Sequence, residues 1–201
     1  MQPYNHNILP EDLFYFFRKK RIAVVGNAIS LFEKNYGAII DSHDIVCRFN
    51  SGINHNNYLS HGSKTHWLVY NNYNFAIKQK LFDNNEELNF LQIYQQDELE
   101  EEITDKIFTY PSNLIEELVD IAQLNNLPST GFAFIFFLTK INPKAVSIFG
   151  FDWKKSYTFY NKGRKRKKEE RKSGHDFDLE EKFFNQNILG NKKNFTWYEC
   201  L

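Results

Sequence analysis

The sequence has little cysteine and no long apolar run, and both shortages narrow the class of protein. Cysteine occurs only twice in 201 residues, as Cys47 and Cys200. Small secreted domains depend on several disulfides, so we interpret both residues as reduced thiols, with Cys47 buried in a strand. The longest apolar stretch, Phe132–Leu138, falls well short of the roughly 20 residues that cross a bilayer. We therefore expect neither a disulfide scaffold nor a membrane span.

A net charge and a secretory leader are missing as well. The 25 Lys and Arg residues balance the 25 Asp and Glu residues, which removes the charge-based reason to expect a nucleic-acid partner. The N-terminal residues contain acids and lack the basic start of a signal peptide. We expect a soluble, cytoplasmic protein that binds no nucleic acid.

Aromatic residues are plentiful, and patterns typical of strands and helices alternate along the chain. The composition is 42% hydrophobic and 17% aromatic, enough to bury the core of one domain over residues 1–201. The alternation predicts an α/β, Rossmann-like fold, with a mostly parallel twisted sheet and helices on both faces. Predicted strands cover Ile22–Val25, a stretch ending at Asn50, His66–Tyr70, Leu88–Tyr94, Ile107–Tyr110 and Ala145–Phe149. One helix is predicted after the Gly26-Asn27 turn and another over Leu114–Leu124, with Ser112 as its cap. A third is predicted over Phe132–Ile141, after Pro128–Gly131, and a fourth after Asp178 as its cap.

One segment, Lys162–Lys172 (KGRKRKKEERK), is too densely charged to pack in a core. The structural interpretation is a solvated loop, and we predict a mobile lid over residues 162–174. The functional alternative is a basic patch that touches anionic membrane or glycolipid, and the two interpretations are compatible.

Two asparagines are predicted to lie at the ends of neighbouring strands. Asn27 follows the first strand and Asn50 ends the second. Ligands of open α/β sheets bind at this edge, and a side-chain amide offers donors and an acceptor to a nucleotide. The Gly26-Asn27 turn also leads into a predicted helix whose first-turn amides would be free to meet an anion. The turn is not GxGxxG, so a simple NAD enzyme loses support.

Two further segments carry hydroxyl, imidazole and carboxylate groups before predicted helices. Ser129, Thr130 and Gly131 would converge on an anion or serve as an ordinary helix cap. His175 precedes a helix start, where the helix dipole keeps imidazole neutral and able to accept a proton. Glu180 would approach this imidazole or stabilise the helix. Asp176 and Asp178 form a loose DxD pattern, which we interpret as helix capping, and we expect no metal.

Together these segments resemble the animal-type sialyltransferase family (glycosyltransferase family 29). The large sialylmotif is similar to AVVGN (23–27), YGAIIDSHDIVCRFN (36–50) and GSKTHWLVY (62–70). The small sialylmotif is similar to PSTGFAFIFFLTK and VSIFGFD within 128–152. The HxxxxE motif matches His175 to Glu180, and SYTFYNKG (156–163) matches the third motif loosely.

The resemblance implies a variant of the GT-A glycosyltransferase fold and an inverting, metal-independent transfer from a CMP-activated acidic sugar. His175 would be the general base, and Glu180 of the same motif is the other predicted catalytic residue. The implied donor-binding residues are Gly26, Asn27, Asn50, Ser129, Thr130, Gly131, Gly150, Phe151, Asp152, Tyr157 and Tyr160.

Departures from the family pattern point to a bacterial or viral relative. The family's paired cysteines have no match at Ile22 or near Lys140, which fits a reducing cytosol. The N-terminal anchor is missing too, so we expect a cytoplasmic location, peripheral to the inner membrane if Lys162–Lys172 contacts lipid. A third-motif histidine has no match, and Tyr157 or Tyr160 is the expected substitute.

The donor and the activity itself leave alternatives open. Sialic acid from CMP-sialic acid, delivered to a surface glycan such as lipooligosaccharide, is the leading prediction. CMP-Kdo shares the nucleotide and the carboxylate, so a Kdo transferase would use the same motifs. A catalytically silent nucleotide-binding module and a CMP-sugar hydrolase are the other candidates, and the oligomeric state is not predicted.

Overall fold

A single seven-stranded sheet forms the centre of the part of the chain that the structure describes. This computed structural model describes residues 10–54, 56–83, 85, 87–94, 107–159 and 174–199. The strands are β1 Arg21–Val25, β2 Ile45–Phe49, β3 Trp67–Tyr70, β4 Asn89–Gln92, β5 Ile107–Thr109, β6 Ala145–Phe149 and β7 Phe195–Tyr198. Their order across the sheet is β5-β4-β3-β2-β1-β6-β7, and every neighbouring pair is parallel.

Helices connect the strands and cover both faces of the sheet. They are α1 Pro10–Phe17, α2 Gly37–Asp41, α3 Tyr58–His61, α4 Tyr73–Lys78, α5 Ser112–Ala122, α6 Thr130–Lys140 and α7 Phe177–Phe183. Short 3₁₀ turns cover Ile29–Glu33 and Asn50–Ile53, and a π-helical turn, Phe184–Leu189, continues α7. No helix within the described ranges is both long and apolar enough to cross a membrane.

Alternate residues of each strand enter different cores, because successive side chains point to opposite faces of a sheet. In β1, Ile22 and Val24 pack with residues of α1, α5 and α6, whereas Ala23 and Val25 pack with Leu31 on the other face. Strands covered on both faces read as continuous apolar runs. The predicted α/β, Rossmann-like fold with helices on both faces is confirmed, and Cys47 is fully buried as expected.

The chain reverses its direction of travel across the sheet beside β1. It runs outward from β1 to β5, returns through α5 and α6, and adds β6 on the other side of β1. Gly26 N–H donates to Phe149 O at 2.7 Å, which joins the carboxyl ends of β1 and β6. Gly150 follows with φ of 66°, a conformation that glycine adopts without strain. This topological switch point is where α/β sheets bind ligands.

Several local predictions are wrong at the ends of elements. The residues after Gly26-Asn27 form a 3₁₀ turn, and the amides of Ala28 and Ile29 donate to Gly150 O (3.1 Å) and Tyr157 O (2.8 Å) instead of meeting an anion. Ser112 lies inside α5, after its cap Pro111.

Other features were missed or cannot be compared. Asp178 lies inside α7, after its cap Asp176. The edge strand β7 was not predicted. Of the predicted lid, all but Gly174 lies outside the described residues, as does Cys200.

Helix α1 is anchored to the core through Phe17, which generates a stability prediction. Its ring is fully buried, 4.8 Å from the Trp67 ring and 5.6 Å from the Phe134 ring. Because truncation leaves a cavity among these rings, Phe17→Ala should lower the free energy of unfolding by about 3–5 kcal/mol in chemical denaturation. Tyr15 on the same helix is 81% exposed, so Tyr15→Ala is the control and should change it by less than about 0.5 kcal/mol. Equal effects of the two substitutions would show that α1 is not docked.

Candidate functional site

A pocket opens at the switch point and collects most of the predicted site residues. Its empty volume is about 710 Å³, including solvent at its open mouth. The predicted residues that line it are Gly26, Asn27, Asn50, Ser129, Thr130, Gly131, Gly150, Phe151, Asp152, Tyr157 and His175. Tyr160 lies outside the described residues. Glu180 is not part of the lining and lies behind Ser129.

The ring of Phe151 occupies the centre of this arrangement, held between two glycines. A Cβ atom on Gly26 would lie 2.7 Å from the ring, and one on Gly131 would lie 2.5 Å from it. Contacts this short cannot be accommodated without moving the ring, so both positions need glycine. Phe49 meets the ring edge-on, with centroids 5.7 Å apart. The carboxyl ends of three strands and the start of α6 therefore converge on one aromatic side chain.

The two predicted asparagines also join neighbouring segments. Asn27 Nδ2 donates to Phe49 O at 3.0 Å, and its Oδ1 lies against Gly52. Asn50 has φ of 49° and its Oδ1 accepts from Asn71 N at 3.1 Å. A side-chain amide has two donor hydrogens and an acceptor oxygen. Each asparagine therefore keeps hydrogen-bonding capacity for a ligand while it fixes the rim of the pocket.

Polar residues elsewhere in the first motif bind one another. The Asp41 carboxylate accepts from the backbone N–H groups of Ser63 (2.8 Å) and Lys64 (2.9 Å). Arg48 is 1% exposed and donates to Thr65 Oγ1 at 2.8 Å and His61 O at 2.7 Å. These bonds join the IDSHD–RFN segment to the GSKTHW segment, so the long spacing of the motif reflects contacts within the fold.

The start of α6 is held by a buried carboxylate. Ser129 N–H and Ser129 Oγ–H donate to the two carboxylate oxygens of Glu180 at 2.6 and 2.7 Å, and Ser129 Oγ accepts from Phe132 N at 3.4 Å. The helix supplies no partner for the first-turn amides of Thr130 and Gly131, and both residues line the pocket. Ser129 thus serves as the cap, while the next two residues offer their amides to an anion.

Glu180 is fully buried, and its surroundings change its titration. Burial raises the pKa of its carboxyl from 4.5 to about 7, and the hydrogen bonds from Ser129 oppose this shift. Within the described part of the chain, both oxygens of its carboxylate bond to Ser129 and not to His175. Glu180 is a positioning residue for α6 in this geometry.

His175 is oriented by the main chain of the loop before α6. Its Nδ1 lies 2.8 Å from Leu127 O, and a carbonyl oxygen only accepts, so Nδ1 carries the proton and Nε2 keeps its lone pair. Burial, with a smaller contribution from Lys154, lowers the pKa of the imidazole below 6.5, although the bond to Leu127 opposes it. His175 is therefore neutral at physiological pH and can accept a proton at Nε2.

Asp176 completes the attachment of this segment to the same loop. Its carboxylate accepts from the backbone N–H groups of Asn125 (2.6 Å) and Asn126 (2.9 Å). Together, His175, Asp176 and Glu180 bind residues 125–129 from one side. Within the described ranges, no group of three or more His, Cys, Asp or Glu side chains is placed to hold a metal ion.

The loop after β6 contributes pocket residues that sequence analysis missed. Trp153 and Lys154 of this loop line the pocket, together with Phe177 at the start of α7. The Asp152 carboxylate accepts from Lys154 N (3.0 Å) and Ser156 N (2.7 Å), so it orders this loop. An aspartate that bonds the amide two residues on is a known turn signal, and it would have indicated the tight loop. The directions of the Trp153 and Lys154 side chains depend on their left-handed backbone conformations, with φ of 54° and 60°.

Comparisons with known proteins agree with this architecture. The model of glycosyltransferase family 29 (sialyltransferase) matches residues 17–104, which contain the first motif. The crystal structure of a mammalian sialyltransferase aligns with 90% of this chain and 69% of its own, with a TM-score of 0.64 and 20% identity. Over residues 17–104 the chain is therefore similar to the sialyltransferases of glycosyltransferase family 29.

A second structure extends the fold comparison. A mammalian sialyltransferase in complex with Gal-beta-1-3GalNAc-ortho-nitrophenol aligns with 98% of this chain and 80% of its own, with a TM-score of 0.61 and 19% identity. At these identities the structural likeness establishes the fold. No curated protein matches the sequence significantly.

The buried carboxylate of Glu180 generates a prediction about stability and pH. Its pKa is raised on folding, so its contribution to stability is greatest below the unfolded value and declines as pH rises from about 4.5 to about 7. Glu180→Gln cannot ionise and should flatten the dependence of the free energy of unfolding on pH in this window. Chemical denaturation at a series of pH values measures it.

Glu181→Gln is the matched control, because Glu181 lies beside Lys155 at the surface. That variant should keep the wild-type slope. A slope in Glu180→Gln equal to that of the wild type would contradict the prediction.

Proposed function

We propose that this protein is an inverting glycosyltransferase that moves sialic acid from CMP-sialic acid to a hydroxyl of a glycan acceptor. The observation that carries the proposal is that His175, whose Nδ1 bonds to Leu127 O, lines the same pocket as the start of α6 and the two asparagines. Anion-binding amides and a proton acceptor are the two functions that transfer from an acidic nucleotide sugar requires.

The proposed reaction is a single displacement at the anomeric carbon. The acceptor oxygen forms the new bond to this carbon, and the bond to the phosphate oxygen of CMP breaks with its electron pair. The acceptor proton passes to His175 Nε2. Transfer to a positioned base contributes about 10²–10⁴-fold to such a step.

The remaining pocket residues have separate roles in donor binding. Phe151 would lie against the nucleotide, and Asn27 and Asn50 would bond to its phosphate and ribose or base. The Thr130 and Gly131 amides would bind the sugar carboxylate. Tyr157 would donate a hydrogen bond to the phosphate in place of the missing third-motif histidine. We propose transfer without a metal, because the Asp176 carboxylate bonds backbone amides of Asn125 and Asn126.

The predictions about the donor sugar and the cellular setting rest on the sequence and not on the geometry of the pocket. CMP-Kdo carries the same nucleotide and carboxylate, so it is the second donor to test. A surface glycan as acceptor, a cytoplasmic location and contact of Lys162–Lys172 with membrane stay predictions from the sequence.

A donor screen with a His175 variant tests the proposal. The protein is incubated with CMP-sialic acid or CMP-Kdo and a panel of glycan acceptors, and CMP release and product mass are measured with and without EDTA. We expect transfer from CMP-sialic acid that persists in EDTA. His175→Ala should lower kcat by about 10²–10⁴-fold and leave CMP affinity within about twofold, since the imidazole acts on the acceptor.

Each alternative has a distinct outcome. Transfer from CMP-Kdo alone would change the donor, and CMP release without product would indicate a hydrolase. CMP binding without turnover of either donor would favour the silent module. Strict dependence on Mg²⁺ or Mn²⁺ would contradict metal-independent transfer.

The lowered pKa of His175 predicts the acid limb of the pH profile. The base must be unprotonated, so the acid limb of kcat/KM should have its midpoint below pH 6.5. Initial rates over a pH series measure this limb. An acid limb with its midpoint above pH 6.5 would show that another group, or a protonated His175, controls transfer.

A further inference from the structure

We propose that Lys154 is the cation that binds the negatively charged part of the donor in this pocket. The inference rests on the proposed function and adds a residue to it that the motifs do not contain. Lys154 lies on the loop after β6, between the strand end that carries Phe151 and the turn that carries Tyr157.

The first support is the charge of the pocket. Among the described residues that line it, Asp152 and Lys154 are the two that carry a full charge at neutral pH. The Asp152 carboxylate accepts from Lys154 N and Ser156 N, so its charge is used within the loop. A CMP-linked sugar acid brings a phosphate and a carboxylate, and in the proposed metal-free transfer their charge must be balanced by protein groups.

The second support is the position of the ammonium group. Lys154 Nζ lies 6.0 Å from the centre of the Phe177 ring, and the Phe177 and His175 rings have centroids 5.5 Å apart. The positive charge is therefore on the side of the pocket where transfer is proposed to occur. It also acts on both members of the HxxxxE motif, since it lowers the pKa of His175 and of Glu180.

The third support is the fixed path of the backbone. Lys154 has φ of 60° and its N–H donates to Asp152 Oδ1 at 3.0 Å. A residue other than glycine in this left-handed conformation carries a conformational penalty, and the loop holds it there. Because the Cα position is set by these bonds, the flexible side chain is presented to the pocket from a defined point.

The neighbouring Lys155 provides a matched control. It has the same charge, but it is not among the described residues that line the pocket. Lys154→Met and Lys155→Met remove one positive charge each from adjacent positions and keep a long side chain. Any difference between the variants therefore reports position and not net charge.

Binding of CMP and of cytidine, measured by calorimetry, tests the proposal without requiring turnover. If Lys154 binds the phosphate, Lys154→Met should weaken CMP binding about tenfold and reduce its salt dependence, while cytidine binding stays unchanged. Lys154→Arg should restore much of the CMP affinity, because it restores the charge. Lys155→Met should match the wild type. If Lys154 binds the sugar carboxylate instead, CMP affinity will be unchanged and the KM for the CMP-sugar will rise.

A second measurement separates a direct charge effect from disturbance of the loop. Removing the ammonium should raise the titration midpoint of His175, followed by NMR of the imidazole, and Lys154→Arg should reverse this change. Unaltered CMP affinity and donor KM in Lys154→Met would overturn the proposal, as would an equal loss of cytidine and CMP binding. If the wild type binds neither CMP nor a CMP-sugar, the proposed function itself fails, and the Lys154 assignment with it.

Discussion

The bond pair between Glu180 and Ser129 is the interaction on which the site depends. A carboxylate removed from water is strongly disfavoured unless donors replace its hydration, and the N–H and Oγ–H of Ser129 supply two bonds at 2.6 and 2.7 Å. These bonds fasten the start of α7 to the start of α6. With Asp176 holding the backbone of Asn125 and Asn126, they determine where Leu127 O lies and hence which nitrogen of His175 carries the proton.

A second constraint is the close packing at the carboxyl ends of β1 and β6. Gly26 and Gly131 leave just enough space for the Phe151 ring, so a larger residue at either position would displace this ring in the pocket. Polar groups of three different connections surround this ring. In the proposed function, the nucleotide lies against the ring while its phosphate meets backbone amides and the Lys154 ammonium. Rigid placement of such groups is how a site stabilises developing charge without reorganising.

Much of the fold could be predicted because buried parallel strands are recognisable in a sequence as continuous apolar runs. β1 and β6 are continuous apolar runs, and both were located to within one residue. β7 was missed because it is a short edge strand with Thr196 exposed and Trp197 and Tyr198 half-buried. The turn after Asn27 was predicted as a helix start, but its amides bond to Gly150 O and Tyr157 O. Those partners lie more than a hundred positions away, and local patterns carry no information about them.

The sequence by itself determined the α/β class, the strands that meet at the switch point, and the motif residues that line the pocket. The class and the strands follow from periodicity within short stretches of chain, whereas several of the lining residues, such as Phe151 and Tyr157, followed only from the resemblance to family motifs. Only the tertiary structure decided that Glu180 faces Ser129 and not His175, that Asp176 bonds a loop, and that Lys154 enters the pocket. Each of those outcomes depends on the direction of a side chain relative to a distant backbone segment. Such directions are set by packing and burial when the whole sheet is assembled.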